Sequence, residues 1–435
     1  MYPLPAAILS ISSYVIAPLI LFRCRPGWKP LLSPLNWFFV IFFLALVATP
    51  LVVWTQGPYV SIFPSAPSPF SVNVGLLVYT LAYWSFCAAV HRFRKEDRVI
   101  AVASAHRDND SWYPSNAMIA TFLTLGIIGV LLFFRSPERI LQYFLDPQAY
   151  LLNIDSEGSG RATVADLASL LLRSFFPFSL LLMWSRAFVG TGAVARTREV
   201  LLLALIALSS PIYSYERSSV VIPMLSIAAV LSKRKSASGM IILGGLFVGT
   251  VGLVIVLTSY RTSPLEQIGA VQAVSMGDQY QTYAMSPQFL GLLLEKTHYG
   301  RRLSLGRVLV SSVMTPVPVL GKPFREGSGT SIFGELSGRT DLPSPFAGEL
   351  FLDFHLGGVI AGFFVVGYLL CLLENAFQTA REPLEIYILQ FAAVWLGYTV
   401  TSSISVVSLA AIYLAVPIYV ILFLRRLRRR TESRP

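Results

Sequence analysis

The sequence predicts an all-helical polytopic membrane protein, and three observations predict it. Of its 435 residues, 54% are hydrophobic and only 13% charged, with a mean hydropathy of +0.64, outside the range of soluble domains. Apolar runs long enough to cross a bilayer recur along the chain. Lipid offers no partner to a backbone N–H or C=O, so unbroken runs of that length cross as helices. Lys and Arg gather in every second loop, as the positive-inside rule requires of a chain that crosses repeatedly.

About eleven spans are expected, near residues 4–22, 36–55, 72–90, 116–134, 165–185, 199–212, 218–232, 238–258, 348–372, 385–401 and 404–424. Arg23, Arg25 and Lys29 follow the first span, Arg92, Arg94, Lys95 and Arg98 the third, and Arg186, Arg196 and Arg198 the fifth. Lys233, Arg234 and Lys235 follow the seventh, and a run from Arg425 to Arg430 the last. This alternation puts the N-terminus outside and the C-terminus in the cytoplasm. The first span lacks a basic stretch before it and reads as a retained span rather than a cleaved signal.

The chain then divides into N-terminal spans (1–134), an external loop (135–164), central spans (165–258) with a short hairpin (199–232), a large external helical loop (259–347), and C-terminal spans with a basic cytoplasmic tail (348–435). The hairpin is short because the stretch from Arg198 to Lys233 leaves roughly fifteen residues per helix, about 22 Å against a core of about 30 Å. Its apex, with Glu216 and Arg217, then sits below the outer surface, or the bilayer thins locally. Charge at that depth marks either a functional site or a local salt bridge. In the long loop, Phe289, Leu292, Leu293, Leu303, Val308 and Leu309 recur at helical spacing between charged residues. They predict amphipathic helices on the membrane surface that either cover the bundle or roof an active site.

Several function classes drop out. The net charge of +11 is accounted for by topology, so no nucleic-acid partner is needed. Gly321-Lys322-Pro323 lacks the Ser/Thr and glycine loop of a nucleotide site. Cys24, Cys87 and Cys371 form no disulfide framework, and the four histidines are scattered, so neither a metal nor a cofactor is expected.

What the external segments do offer is arginine: Arg217, Arg261, Arg301, Arg302, Arg325 and Arg339. A guanidinium fork matches phosphate oxygens in a bidentate way and stays charged, although a long translocated segment also escapes the charge rule. Arg217 and Arg261 carry most weight because each abuts a span. Ser344-Pro345 then reads as a helix start leading into the ninth span. Glu349 and Asp353 follow four residues apart on one face, with His355 pointing elsewhere. A carboxylate there serves either as general base toward a sugar hydroxyl or as complement to the helix dipole.

The Pro-rich segment Thr315–Pro323, then Ser344-Pro345, Gly348-Glu349, Phe354 and Gly357-Gly358, together with Tyr215-Glu216-Arg217 and Ser259-Tyr260-Arg261, resembles the Wzy-type O-antigen and oligosaccharide repeat-unit polymerases over roughly residues 199–372. The resemblance implies a metal-independent, GT-C-like glycosyltransferase in the bacterial plasma membrane. It would pass a growing glycan from undecaprenyl pyrophosphate to the end of the next lipid-linked repeat unit, outside the membrane, with a chain-length regulator and a flippase as partners. Arg217, Arg261 and Arg325 would then hold the pyrophosphate, Glu349 would be catalytic, and Arg301, Arg302, Asp353 and His355 would contact glycan or acceptor. The related O-antigen ligases carry a histidine near the position of Glu349. A lipid-linked glycan flippase is the other alternative.

Overall fold

The computed structural model describes residues 4–22, 32–56, 68–93, 114–136, 138–140, 164–189, 193–209, 218–233, 244–246, 248–250, 252, 286–298, 303–317, 320–337 and 344–432. All regular structure among them is helical. The first helices are α1 (Leu4–Phe22), α2 (Pro34–Phe43) running through a π-helical turn (Leu44–Ala48) into α3 (Thr49–Gln56), α4 (Pro69–Phe93) and α5 (Asn116–Phe134). Next come α6 (Val164–Leu172), α7 (Phe175–Val189), α8 (Ala193–Ser209), α9 (Ser218–Lys233), α10 (Ser286–Lys296) and α11 (Arg307–Met314). A 3-10 turn (Lys322–Phe324) precedes α12 (Gly329–Ser337), α13 (Phe346–Thr379), α14 (Pro383–Thr401), α15 (Ile404–Leu409), a second π-helical turn (Ala410–Leu414) and α16 (Val416–Glu432).

The chain is a membrane protein. Among the described residues, six helices are long and apolar enough to cross a bilayer: Pro34–Trp54, Pro69–Phe93, Asn116–Phe134, Ala165–Phe188, Phe346–Thr379 and Pro383–Thr401, with Ile404–Leu427 as a seventh when its two helices count as one span. Of about eleven expected spans, four are outside this set: the apolar stretch of α1, Pro5–Ile20, is one of the shorter apolar helices. α8 and α9, with 17 and 16 residues, reach only about 26 and 24 Å against about 30 Å of hydrocarbon. The expected span 238–258 lies largely outside the described residues, as do the hairpin apex and most of the loop 135–164.

The described residues fall into two compact units. The first is Met1–His106, Gln272–Thr379 and Ala392–Leu409; the second is Arg107–Val271, Ala380–Phe391 and Ala410–Pro435. In the first, α4 is the central post, packed by α1, α10 and α13. Its core is aromatic: the rings of Phe38 and Phe86 stack at 5.5 Å, and Phe42 lies 5.0 Å from Tyr83. The buried tyrosines keep their hydroxyls satisfied, as burial demands. Tyr83 donates to Tyr14 O at 3.0 Å and Tyr79 to Val400 O at 2.9 Å.

α10 meets α4 backbone to backbone. A Cβ on Gly75 would stand 2.2 Å from Pro287 O, and one on Gly291 would stand 2.7 Å from Ser71 O. Small residues on both helices are what permit so close an approach. Residues Ser286 to Leu294 are all buried, so this part of the long loop is an interior helix rather than one lying on the membrane surface. Phe289, Leu292, Leu293 and Val308 face protein, joined there by Phe333 and Leu352.

The second unit packs α5 against α6 and α7. Gly126 and Gly129 lie against the backbones of Phe176 and Arg173, at the break between α6 and α7. α5 ends at Arg135 in the left-handed region (φ 60). The Arg135 guanidinium pairs with Asp166 at 2.6 Å, and Arg425 pairs with Glu382 at 2.7 Å.

Candidate functional site

The candidate site is built on α13, and α13 is two helices joined at a break. Phe354 (φ −140, ψ 15) and His355 (φ 53, ψ −150) leave helical geometry. A positive φ on a side chain larger than glycine is disfavoured and persists only when the surroundings impose it. Before the break, every residue from Phe346 to Asp353 is buried, the pattern of a helix surrounded by protein on all sides. After it, large apolar side chains alternate between buried and exposed along a segment long enough to cross a bilayer by itself. Gly358 makes the break tight, since a Cβ there would lie 2.6 Å from Leu350 O.

Glu349 sits in the buried limb and is completely shielded from solvent. Its Oε1 accepts three hydroxyl protons, from Ser403 at 2.5 Å, Ser312 at 2.9 Å and Ser344 at 3.2 Å, while its Oε2 accepts from the backbone N–H of Ile404 at 3.1 Å. All three serines are themselves fully buried. Ser312 Oγ in turn accepts from Gly329 N at 2.9 Å, and Ser403 Oγ accepts from Ser405 N at 3.0 Å. The carboxylate thus stands where α12, α13 and α15 all begin. Unpaired N–H groups at helix starts favour negative charge, and hydrogen bonds to an ionised group are the strong kind. Among the described residues no cation pairs with Glu349. Gly329 touches the carboxylate so closely that a Cβ would fall 2.5 Å from Glu349 Cγ, which is why a residue without one opens α12.

Asp353, one turn on, has a different task. It too is fully buried; its Oδ1 accepts from Val308 N at 3.1 Å and its Oδ2 from Leu309 N at 2.7 Å. The residue at the cap position of α11 is Gly306 (φ 88), which has no side chain to offer, so Asp353 caps α11 from another helix. Ser304 N donates to the carbonyl of Leu352 at 3.0 Å, the acceptor that the break sets free. Asp353 therefore binds protein with both oxygens, and no oxygen is left facing solvent for a glycan.

No family model, curated protein or solved structure matches the chain.

Of the remaining residues singled out in the sequence, Arg325 is exposed, directly after the 3-10 turn. Its carbonyl accepts the hydroxyl of Ser328 at 2.8 Å, fixing it one turn ahead of Gly329. His355 is half-buried, edge-on to Phe351 with ring centroids 5.2 Å apart. Arg217, Arg261, Arg301, Arg302 and Arg339 lie outside the described residues.

The sequence reading missed the serines. Ser312, Ser344 and Ser403 come from three segments spread over ninety residues of chain, and a lone serine carries no pattern. Ser403 had one available signal: the Ser402-Ser403 pair interrupts an apolar stretch between two helices, where hydroxyls compete with helix and favour its start. Ser344 was read as a helix cap, but its hydroxyl goes to Glu349 instead.

Proposed function

We propose that this chain is a GT-C-like glycosyltransferase of the repeat-unit polymerase type, acting on lipid-linked glycans at the outer face of a bacterial plasma membrane. One observation carries the reading. The described segments that bear the resemblance, Thr315–Val317, Ser344–Glu349 and Phe354–Gly358, belong to a single unit, in which Ser344 and the buried Glu349 are bonded to each other.

In the reaction, a hydroxyl of the acceptor unit attacks the anomeric carbon of the donor glycan. The bond from that carbon to the carrier pyrophosphate breaks, the pyrophosphate leaves with the electron pair, and the hydroxyl's proton passes to a departing phosphate oxygen or to water. Arginines assist by taking up that charge; Arg325, which is exposed, is assigned this part together with Arg217 and Arg261, as the resemblance implies. The geometry supports a positioning role for Glu349 over the role of base, because a carboxylate with no exposure and four donors on it holds three helix starts in register.

Transport of the same lipid is the rival. Its signature is a helix broken near the bilayer midplane, whereas the break in α13 leaves about 25 residues beyond it, enough to cross alone, and so lies at the end of the span.

The test is purified protein in vesicles with lipid-linked repeat units, without nucleotide or ion gradient, scored for chain lengthening. Ladders are expected from the natural sequence and are lost in Arg325→Ala and Glu349→Ala. Failure of the natural sequence to lengthen the glycan overturns the reading. Glu349→Gln separates the two roles: a glutamine that folds and restores ladders is a positioning residue, and one that folds without activity marks the carboxylate as the base.

A further inference from the structure

α11 carries its side chains the wrong way round for a water-facing helix. Its buried face holds Val308, Ser311 and Ser312, while Val310 and Val313 stand 52% and 39% exposed. Just outside the helix, Leu303, Leu305 and Leu320 are 44%, 76% and 62% exposed. Five large apolar side chains gathered in so short a stretch exceed the isolated ones that any protein surface tolerates.

Where this face sits follows from its ties to α13. Asp353 caps α11, Ser304 is bonded to Leu352 O, and a Cβ on Gly306 would meet Phe354 Cζ at 3.3 Å. From Phe354 onward α13 exposes Leu356, Ile360, Phe364 and Val365, the lipid-facing flank of a spanning helix. α11 is therefore fixed where that flank ends, at the boundary of the hydrocarbon. Its charges suit that level. Arg307 in its first turn and Lys322 and Arg325 after it are exposed, with Glu326 as the nearby carboxylate. Cations beside an exposed apolar face match a monolayer of anionic lipid.

We infer that α11, with Leu303, Leu305 and Leu320, is an interfacial helix that seats its exposed apolar face among acyl chains and takes anionic phospholipid headgroups on Arg307 and Lys322. The inference does not rest on the enzymatic reading. The sequence expectation put Phe289, Leu292, Leu293, Leu303, Val308 and Leu309 on the membrane; of these Leu303 belongs to the exposed face, whereas the others pack against protein.

The experiment is fluorescence quenching on the full chain with Cys24, Cys87 and Cys371 replaced by Ala. A polarity-sensitive dye is placed in turn by Val310→Cys, Leu305→Cys and, as a water-facing control, Glu326→Cys. Vesicles are phosphatidylcholine with or without phosphatidylglycerol. Lipid-borne nitroxide is expected to quench the dye at 310 and 305 at least about three-fold more than aqueous iodide does, with the reverse at 326. Phosphatidylglycerol should deepen the lipid quenching, and Arg307→Gln with Lys322→Gln should remove that gain. Iodide quenching at both 310 and 305 overturns the inference, because the face is then in water. Protection from both quenchers overturns it too, because protein then covers the face. Lipid quenching equal in both vesicles overturns the headgroup assignment.

Discussion

In the first unit, Glu349, Asp353 and Glu374 are 0%, 0% and 5% exposed, and each accepts a backbone N–H at the start of another helix, at Ile404, at Val308 and Leu309, and at Leu35. In the second, Asp166 and Glu382 meet guanidinium groups instead; the Arg425–Glu382 pair is largely buried, at 13% and 18% exposed, and the Arg135–Asp166 pair is half in solvent, at 52% and 39%. The contrast separates two uses of a carboxylate. Buried beside fixed donors, it loses its water and must keep every protein partner, so it defines how helices meet. At a surface, water replaces whatever partner is lost, and the pair matters little.

The largest effect that would sharpen this contrast is at Glu349. Glu349→Ala strands three buried hydroxyls and a backbone N–H and is expected to cost about 3–5 kcal/mol, read as a large fall in the thermal midpoint of the detergent-solubilised protein. Asp353→Ala strands two N–H groups at the start of α11 and should cost about 2 kcal/mol. A midpoint unchanged in either variant would break the comparison.

Glu295 lies between the extremes, partly exposed, with its Oε2 accepting Ser68 N at 2.7 Å at the start of α4. Desolvation is the largest single influence and pulls its pKa upward. The Ser68 N–H, the hydroxyls of Ser71 and Ser68, and the charge of Lys296 together outweigh it and leave the group below the ordinary carboxylate range. A lowered folded value means the contribution is present at neutral pH and fades as pH falls through that value. Glu295→Gln should thus lower the midpoint modestly at neutral pH, with the difference from the natural sequence vanishing in acid. A difference that grows in acid would contradict the sign. The smallest effect is expected in the second unit, where a double-mutant cycle of Arg135→Ala and Asp166→Asn should return a coupling below about 1 kcal/mol.

The fold was legible where a single physical cause sufficed. Apolar runs at 4–22 and 116–134 are helices with those same bounds, Leu4–Phe22 and Asn116–Phe134, because a helix satisfies its backbone within the run itself and needs no distant partner. The long loop was legible as helix but not as to what its apolar faces touch. Helical spacing at Phe289, Leu292 and Leu293 states that these side chains share a side, and lipid and protein interior are equally apolar. The site was legible by half: Glu349 and Asp353 are recognisable as acids at the start of a span, but their partners come from Ser312, Ser403 and the N–H groups of α11 and α15. Such contacts exist only once distant segments have been brought together.

The reciprocal glycines of α4 and α10 bear on how the first unit moves. With Gly75 and Gly291 leaving no side chain between the two backbones, neither helix can slide without a steric clash, so together they form a stator. α11 and α12 are short, and they join the unit through hydrogen bonds to Glu349, Asp353 and Ser312 and through Val308 and Phe333 in an apolar cluster with Leu292 and Leu293 of α10.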